Sequence, residues 1–161
     1  MAHSTLTRCG GCGDGVRESR RIVVASAALY ALSLGLPALR EVGLGVPAER
    51  GYVIFATGWA GLLIRQFAWF ANALWVASLV YLQLRRWKAA AVAASLAVLV
   101  AADSFVLYST GIVSDSGSKI PIRLMVGFWV WWASLWVLAV GATVLWRRHR
   151  EVHAGEGIIS S

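Results

Sequence analysis

The chain has 161 residues, the size of one domain, of which 58% are hydrophobic and only 14% charged, where soluble domains carry about 25% charged residues. Its apolar residues come in blocks rather than alternating with polar ones, which excludes an ordinary soluble core. The formal charge of +7 does not make it a nucleic-acid binder, because the polar ends are too short to build a basic face; Lys and Arg beside apolar blocks mark cytoplasmic loops.

Residues 1–21 read as a flexible cytoplasmic tail. Both cysteines of the chain fall in it, as Cys9-Gly10-Gly11-Cys12. A C-x-x-C pair can hold one face of a soft metal ion or cycle between dithiol and disulfide, so Cys9 and Cys12 are the metal and redox candidates. Tetrahedral zinc needs four ligands, which leaves the pair two short unless His3 or a second protomer contributes. No His follows Cys12 for covalent haem attachment. The flanking glycines deny a thioredoxin-like strand and helix, and cytoplasmic thiols stay reduced. Two incidental thiols on a tail are the plainer reading, and no cofactor is expected.

A hydrocarbon core about 30 Å thick is crossed by about 20 apolar residues in a helix. Four stretches qualify: 22–39, 66–84, 89–109 and 122–146. About twenty polar residues precede the first and no small-residue cleavage site follows it, so it reads as a retained helix rather than a targeting signal. No alternating ~10-residue segments suggest a β-barrel. Residues 52–64 are apolar but short, and they suit an interfacial or re-entrant segment broken at Gly58 and Gly61, with Trp59 at headgroup level. One long helix from about Val53 to Leu84 is the competing reading. It would put Arg65 in lipid. Residues 147–161 read as a cytoplasmic C-terminal tail.

The fold class is therefore an all-α, integral membrane four-helix bundle with a short segment before its second helix. Its orientation follows from Lys and Arg. Arg8, Arg17, Arg20, Arg21, Arg85, Arg86, Lys88, Arg147, Arg148 and Arg150 fall on one side, and only Arg40, Arg50, Arg65, Lys119 and Arg123 on the other. Cytoplasmic loops carry the excess, so both termini are expected inside.

Helix faces follow from spacing. Ser26, Tyr30, Ser33 and Pro37 share one face of the first span. Arg65, Trp69, Asn72, Val76, Leu79 and Gln83 share one of the second. The third carries an alanine stripe, Ala89, Ala93, Ala97 and Ala101, with Ser104 close by. The fourth has Arg123, Gly127, Val130, Ser134, Val137 and Gly141. In lipid, small residues and hydrogen-bonding side chains bring helices together, so these faces form the expected interior. Trp129, Trp132 and Trp136 make a separate stripe, expected to pack against neighbours or lipid.

Asp103 is the most informative single residue. A carboxylate at the centre of a span costs ~2.5–3.5 kcal/mol on insertion scales, and this one lies about 9 Å from the outer end at the helical rise. Asn72 falls at a similar depth, with Arg65, Gln66 and Arg123 near the outer ends of their helices. Asp103, Asn72, Arg65, Arg123 and Gln66 are thus the ligand or ion-pair candidates. They form either a proton or solute site, or an ion pair of Asp103 with Arg65 or Arg123 that fixes helix register. Catalytic residues are not expected: the chain has no phosphate loop, no H-E-x-x-H and no G-x-S-x-G, and His3, His149 and His153 all lie in the tails.

Gly58-Trp59-Ala60-Gly61, then Phe67-Ala68-Trp69-Phe70-Ala71-Asn72, resemble small bacterial four-helix membrane proteins that carry a G-W-x-G followed by F-A-W-x-A-N. Gly127 to Ser134 adds to the likeness, and Ala73 stands where that pattern has proline. The resemblance implies the bacterial cytoplasmic membrane and carries over no catalytic residue. The leading expectation is a non-enzymatic membrane component, either an accessory subunit with a protein partner or a self-associating homo-oligomer. Its partners are the lipid bilayer and those proteins, with no nucleic acid. The alternatives are proton-coupled or small-solute transport around Asp103, and metal or redox sensing through Cys9 and Cys12.

Overall fold

The computed structural model describes residues 11–42, 47–110, 112–113 and 119–159, and the chain is mostly helical. Helix α1 runs Gly11–Gly35 and is followed by strands β1, Pro37–Glu41, and β2, Glu49–Arg50. Helix α2, Gly51–Thr57, passes directly into a 3₁₀ segment, Gly58–Ile64. Helices α3, Phe70–Gln83, and α4, Trp87–Ala101, form a tight hairpin, and α5, Asp103–Thr110, continues α4 after a turn. Short strands β3, Ile112–Val113, β4, Lys119–Ile120, and β5, Ile122–Leu124, lead into the long helix α6, Val126–Ile159. Trp87–Val106 and Val126–Glu151 are long and apolar enough to cross a membrane.

Helix α1 packs along α6, α6 along α4, and α4 along α3. The interior they share is rich in small residues. Ala90, Ala91, Ala94, Ala97 and Ala101 of α4 are buried, with Ser26, Ser78, Ser134, Ala139 and Ala142 from the other three helices, around Leu82, Leu135 and Leu138. Many larger apolar side chains face outward: Val24, Leu32, Val80, Val92, Leu99 and Val140 are all exposed. Small residues let backbones approach closely, and a large outward apolar surface needs an apolar surrounding.

Two tiers of hydrogen bonds tie α1, α3 and α6 together. In one, Trp75 Nε1 donates to Ser26 Oγ at 2.9 Å, and Ser26 Oγ donates to the Ser134 carbonyl at 2.9 Å. In the other, Tyr30 Oη and Trp131 Nε1 donate to Asn72 Oδ1 at 2.9 and 3.0 Å. The tiers are one helical turn apart on every helix, and the Tyr30 and Trp75 rings stack between them at 4.2 Å. Ser78 Oγ adds a bond from α3 to the Ala90 carbonyl of α4 at 2.9 Å. Hydroxyls and indoles inside an apolar bundle need such partners, since burying them unpaired costs free energy.

The two ends of the helix cluster differ. At the sheet end, β1 pairs antiparallel with β2 on one side and β5 on the other, and β3 pairs with β4. At the basic end lie the α3–α4 turn, the start of α1 and the far part of α6, where Arg148 pairs with Glu18 at 2.7 Å.

Several expectations are corrected here. The fold is not all-α, because strands of two to five residues cap one end; elements that short leave no periodic signal. Pro37–Leu39 belongs to β1 rather than the first helix, since proline lacks the N–H that a helix interior needs. Ile122–Leu124 likewise forms a strand, and the last helix starts at Val126. Residues 66–69 are not helical, so the reading of one long helix from Val53 to Leu84 is excluded. Residues 11–21 and 147–159, read as tails, continue α1 and α6.

The predicted faces of α1 and α4 are the buried ones: Ser26, Tyr30 and Ser33, and Ala93, Ala97 and Ala101. That of α6 is right at Gly127 and Ser134, and Leu135, Leu138 and Ala142 complete it. That of α3 is displaced. Asn72, Trp75, Ser78 and Leu82 are buried, while Val76 and Gln83 are exposed.

Candidate functional site

The sheet end encloses a cavity of about 220 Å³. Its floor is the upper tier: Tyr30, Asn72 and Trp131. Leu34, Ile54, Phe55, Trp69, Leu124 and Phe128 form apolar walls, with Gln66 and Ser104 among the few polar side chains on its lining. Helix α2 and the 3₁₀ segment cover it as a lid. Trp69 Nε1 donates to the Phe55 carbonyl at 2.8 Å, and the Gln66 N–H to the Gly61 carbonyl at 2.8 Å, which pins the lid to the start of α3.

The lid needs its glycines. A Cβ at Gly58 would lie 2.6 Å from Trp69 Cδ1, and one at Gly61 would lie 3.2 Å from the Gln66 backbone oxygen. The 3₁₀ segment closes on Arg65 in the left-handed region, φ 59°. Such a helix end is ordinarily glycine, because an L side chain is strained there.

The amide of Asn72 is divided between two tasks. Its oxygen is saturated by Tyr30 and Trp131, and this fixes which way the amide points. Its Nδ2, carrying two N–H donors, has no hydrogen-bond partner among the described residues, nor is it sealed off as a buried orphan. Asn72 is among the residues that line the cavity, so an amide of fixed orientation sits at its floor. An apolar chamber with one oriented donor at its floor is a ligand site in general form.

The sequence-predicted residues separate at this point. Asn72 and Gln66 line the cavity. Asp103 does not: its Oδ2 accepts the Phe67 backbone N–H at 2.7 Å, tying the first turn of α5 to the entry of α3. Among the described residues Asp103 makes no ion pair with Arg65 or Arg123, both of which are exposed. Arg123 instead stands opposite Arg40 across the β1–β5 ladder. Cys9 lies outside the described residues, and Cys12 sits in the first turn of α1. No three of His, Cys, Asp and Glu gather among the described residues.

Sequence reasoning missed Tyr30 and Trp131 as partners of Asn72. Tyr30 was on the expected interior face of α1, but Trp131 fell between the two stripes assigned to α6. Only the pairing of a buried amide with two buried donors at one depth would have found them. The chain matches no family model, no curated protein and no solved structure.

Proposed function

We propose that this is an integral membrane protein crossing the bilayer four times, with both ends in the cytoplasm, and that it is a non-enzymatic component holding a lipid-soluble molecule in its outer half. The membrane reading is supported by an interior rich in alanine and serine beneath a surface on which many valine, leucine and tryptophan side chains are exposed. The four crossings would be α1, α3, α4 with α5, and α6. The orientation is supported by the gathering of Arg17, Arg20, Arg21, Arg85, Arg86, Lys88, Arg147, Arg148 and Arg150 at the basic end.

The single observation that carries the binding reading is an amide of fixed orientation, that of Asn72, at the floor of an apolar chamber. A volume of about 220 Å³ exceeds the ~150 Å³ of an engineered cavity that admits benzene. A ring-sized head bearing a carbonyl or ether oxygen fits both the volume and the donor. Water alone would be poorly held, because it needs two to four polar partners, roughly, and the walls are apolar.

The test is extraction of the protein from membranes in mild detergent, followed by mass spectrometry of organic-soluble molecules retained at stoichiometry. The wild type is expected to retain one such molecule and Asn72→Leu to lose it. Tyr30→Phe leaves Nδ2 in place and is expected to keep it at reduced occupancy. A wild type that emerges empty, or an Asn72→Leu protein that is folded and fully loaded, would sink the reading.

A further inference from the structure

At the basic end, α3, α4 and α6 leave a second cleft, of about 910 Å³ and open to one side. Its rim carries Arg85 and Arg86 from the α3–α4 turn, Lys88 from the first turn of α4 and Arg150 from α6. Among the described residues no carboxylate lines it. Behind the rim the wall is apolar: Leu74 from α3, then Val92 and Leu96, one turn apart on α4. Leu99 extends the same run of exposed side chains further from the rim.

The excess of positive charge at this end follows from orientation alone, but its arrangement does not. Arg17, Arg20 and Arg21 put three charges along α1, and they border a smaller hollow, of about 410 Å³, with Val24 and Ala25. Arg85, Arg86, Lys88 and Arg150 ring a cleft instead. Arg150 is held over the Trp146 ring, 5.6 Å from its centroid, by a cation–π contact. Arg85 occupies the left-handed region, φ 56°, where it closes α3 with an N–H bond from Arg86 to the Tyr81 carbonyl at 2.9 Å. Glycine would close that turn without strain, so an arginine is kept there at a cost.

We propose that this cleft binds an anionic phospholipid of the cytoplasmic leaflet, its phosphate held by Arg85, Arg86, Lys88 and Arg150 and its chains lying along Val92 and Leu96. Basic pockets between membrane helices on that side recognise such head groups. An acidic protein segment would match the charge, but the apolar wall running on from the rim matches acyl chains. The leaflet rests on the orientation proposed above; the binding does not, and it is independent of the cavity at the sheet end.

The experiment is native mass spectrometry of the full chain, offered equal amounts of cardiolipin and phosphatidylcholine in mixed micelles. The wild type is expected to retain cardiolipin over phosphatidylcholine by about tenfold or more. Each Lys or Arg at an anionic surface raises affinity roughly fivefold, so Arg85→Gln, Arg86→Gln and Lys88→Gln together lower retention roughly a hundredfold. The matched triple Arg17→Gln, Arg20→Gln and Arg21→Gln removes the same charge and lowers it less than about threefold. Arg85→Gly raises thermal stability while weakening retention, which separates binding from misfolding. Val92→Trp narrows the apolar wall and weakens retention with no change of charge. Equal losses in the two triples, or no preference for cardiolipin in the wild type, would overturn the proposal. So would displacement of the lipid by millimolar inorganic phosphate, which would make this a site for a free anion.

Discussion

Trp131 and Trp132 are neighbours on α6 with opposite hydrogen-bonding fates. Trp131 Nε1 donates to Asn72 at 3.0 Å, whereas Trp132 Nε1 is buried with no hydrogen-bond partner among the described residues. Hydrogen bonds between helices in a membrane protein contribute about 0.6 kcal/mol on average and up to about 1.7. An unsatisfied buried donor is itself a cost, relieved when the donor is removed. Trp131→Phe is therefore expected to lower stability by about 1 kcal/mol more than Trp132→Phe, although both remove the same atoms. Thermal unfolding in one detergent measures the difference, and equal losses would show that Asn72 gains nothing from its second donor. The same reasoning separates Asn72 from Asp103. Both were legible as polar residues at depth. Only a structure shows that the carboxylate accepts a backbone N–H while the amide accepts from two side chains at the floor of the cavity.

Helices were legible as elements because a long apolar block has one good solution, and their interior faces were legible where the helix is unbroken. The alanine stripe of α4 and the Ser26–Tyr30–Ser33 face of α1 both run through uninterrupted turns. The α3 face went wrong because the spacing was carried across residues 66–69, where the helix is absent and the phase restarts at Phe70. The β1–β2–β5 sheet left no signal of its own. What holds it to the helices is a close approach at Gly127, where a Cβ would stand 2.8 Å from the Pro37 carbonyl oxygen and 2.9 Å from that of Leu36. Both neighbours are backbone, and the adjoining bond from the Met125 N–H to the Ala38 carbonyl leaves them little room to move. At Gly141 the atoms nearest such a Cβ belong to the β-branched Ile22 side chain, with Cγ2 at 2.6 Å, and Ile is stiff at χ1. Gly127→Ala and Gly141→Ala are each expected to cost about 1–3 kcal/mol. Gly127→Ala alone should also loosen the cavity, read as lower ligand occupancy. Equal occupancy in the two variants would mean that the cavity does not depend on the close approach at Gly127.

At the scale of the whole molecule, the two proposed sites sit at opposite ends, and the orientation decides which solvent each one meets. The charge distribution argues for the basic end inside. The chain supplies its own probe. Its two cysteines, Cys9 and Cys12, both precede the first apolar block, so every thiol lies on one side of the proposed first crossing. With the basic end inside, a membrane-impermeant maleimide added to intact cells should leave the protein unlabelled, and added to inverted membrane vesicles it should label it. The thiols need not be reactive in any special way, only reachable. Cys9→Ser with Cys12→Ser is the blank and is expected to take up no label in either preparation. Labelling of intact cells at the level of inverted vesicles would turn the molecule over. The cleft at the basic end would then face the outer leaflet, and the cavity of Asn72 would open toward the cytoplasm. Both binding assays would stand, but each ligand would have to come from the opposite leaflet.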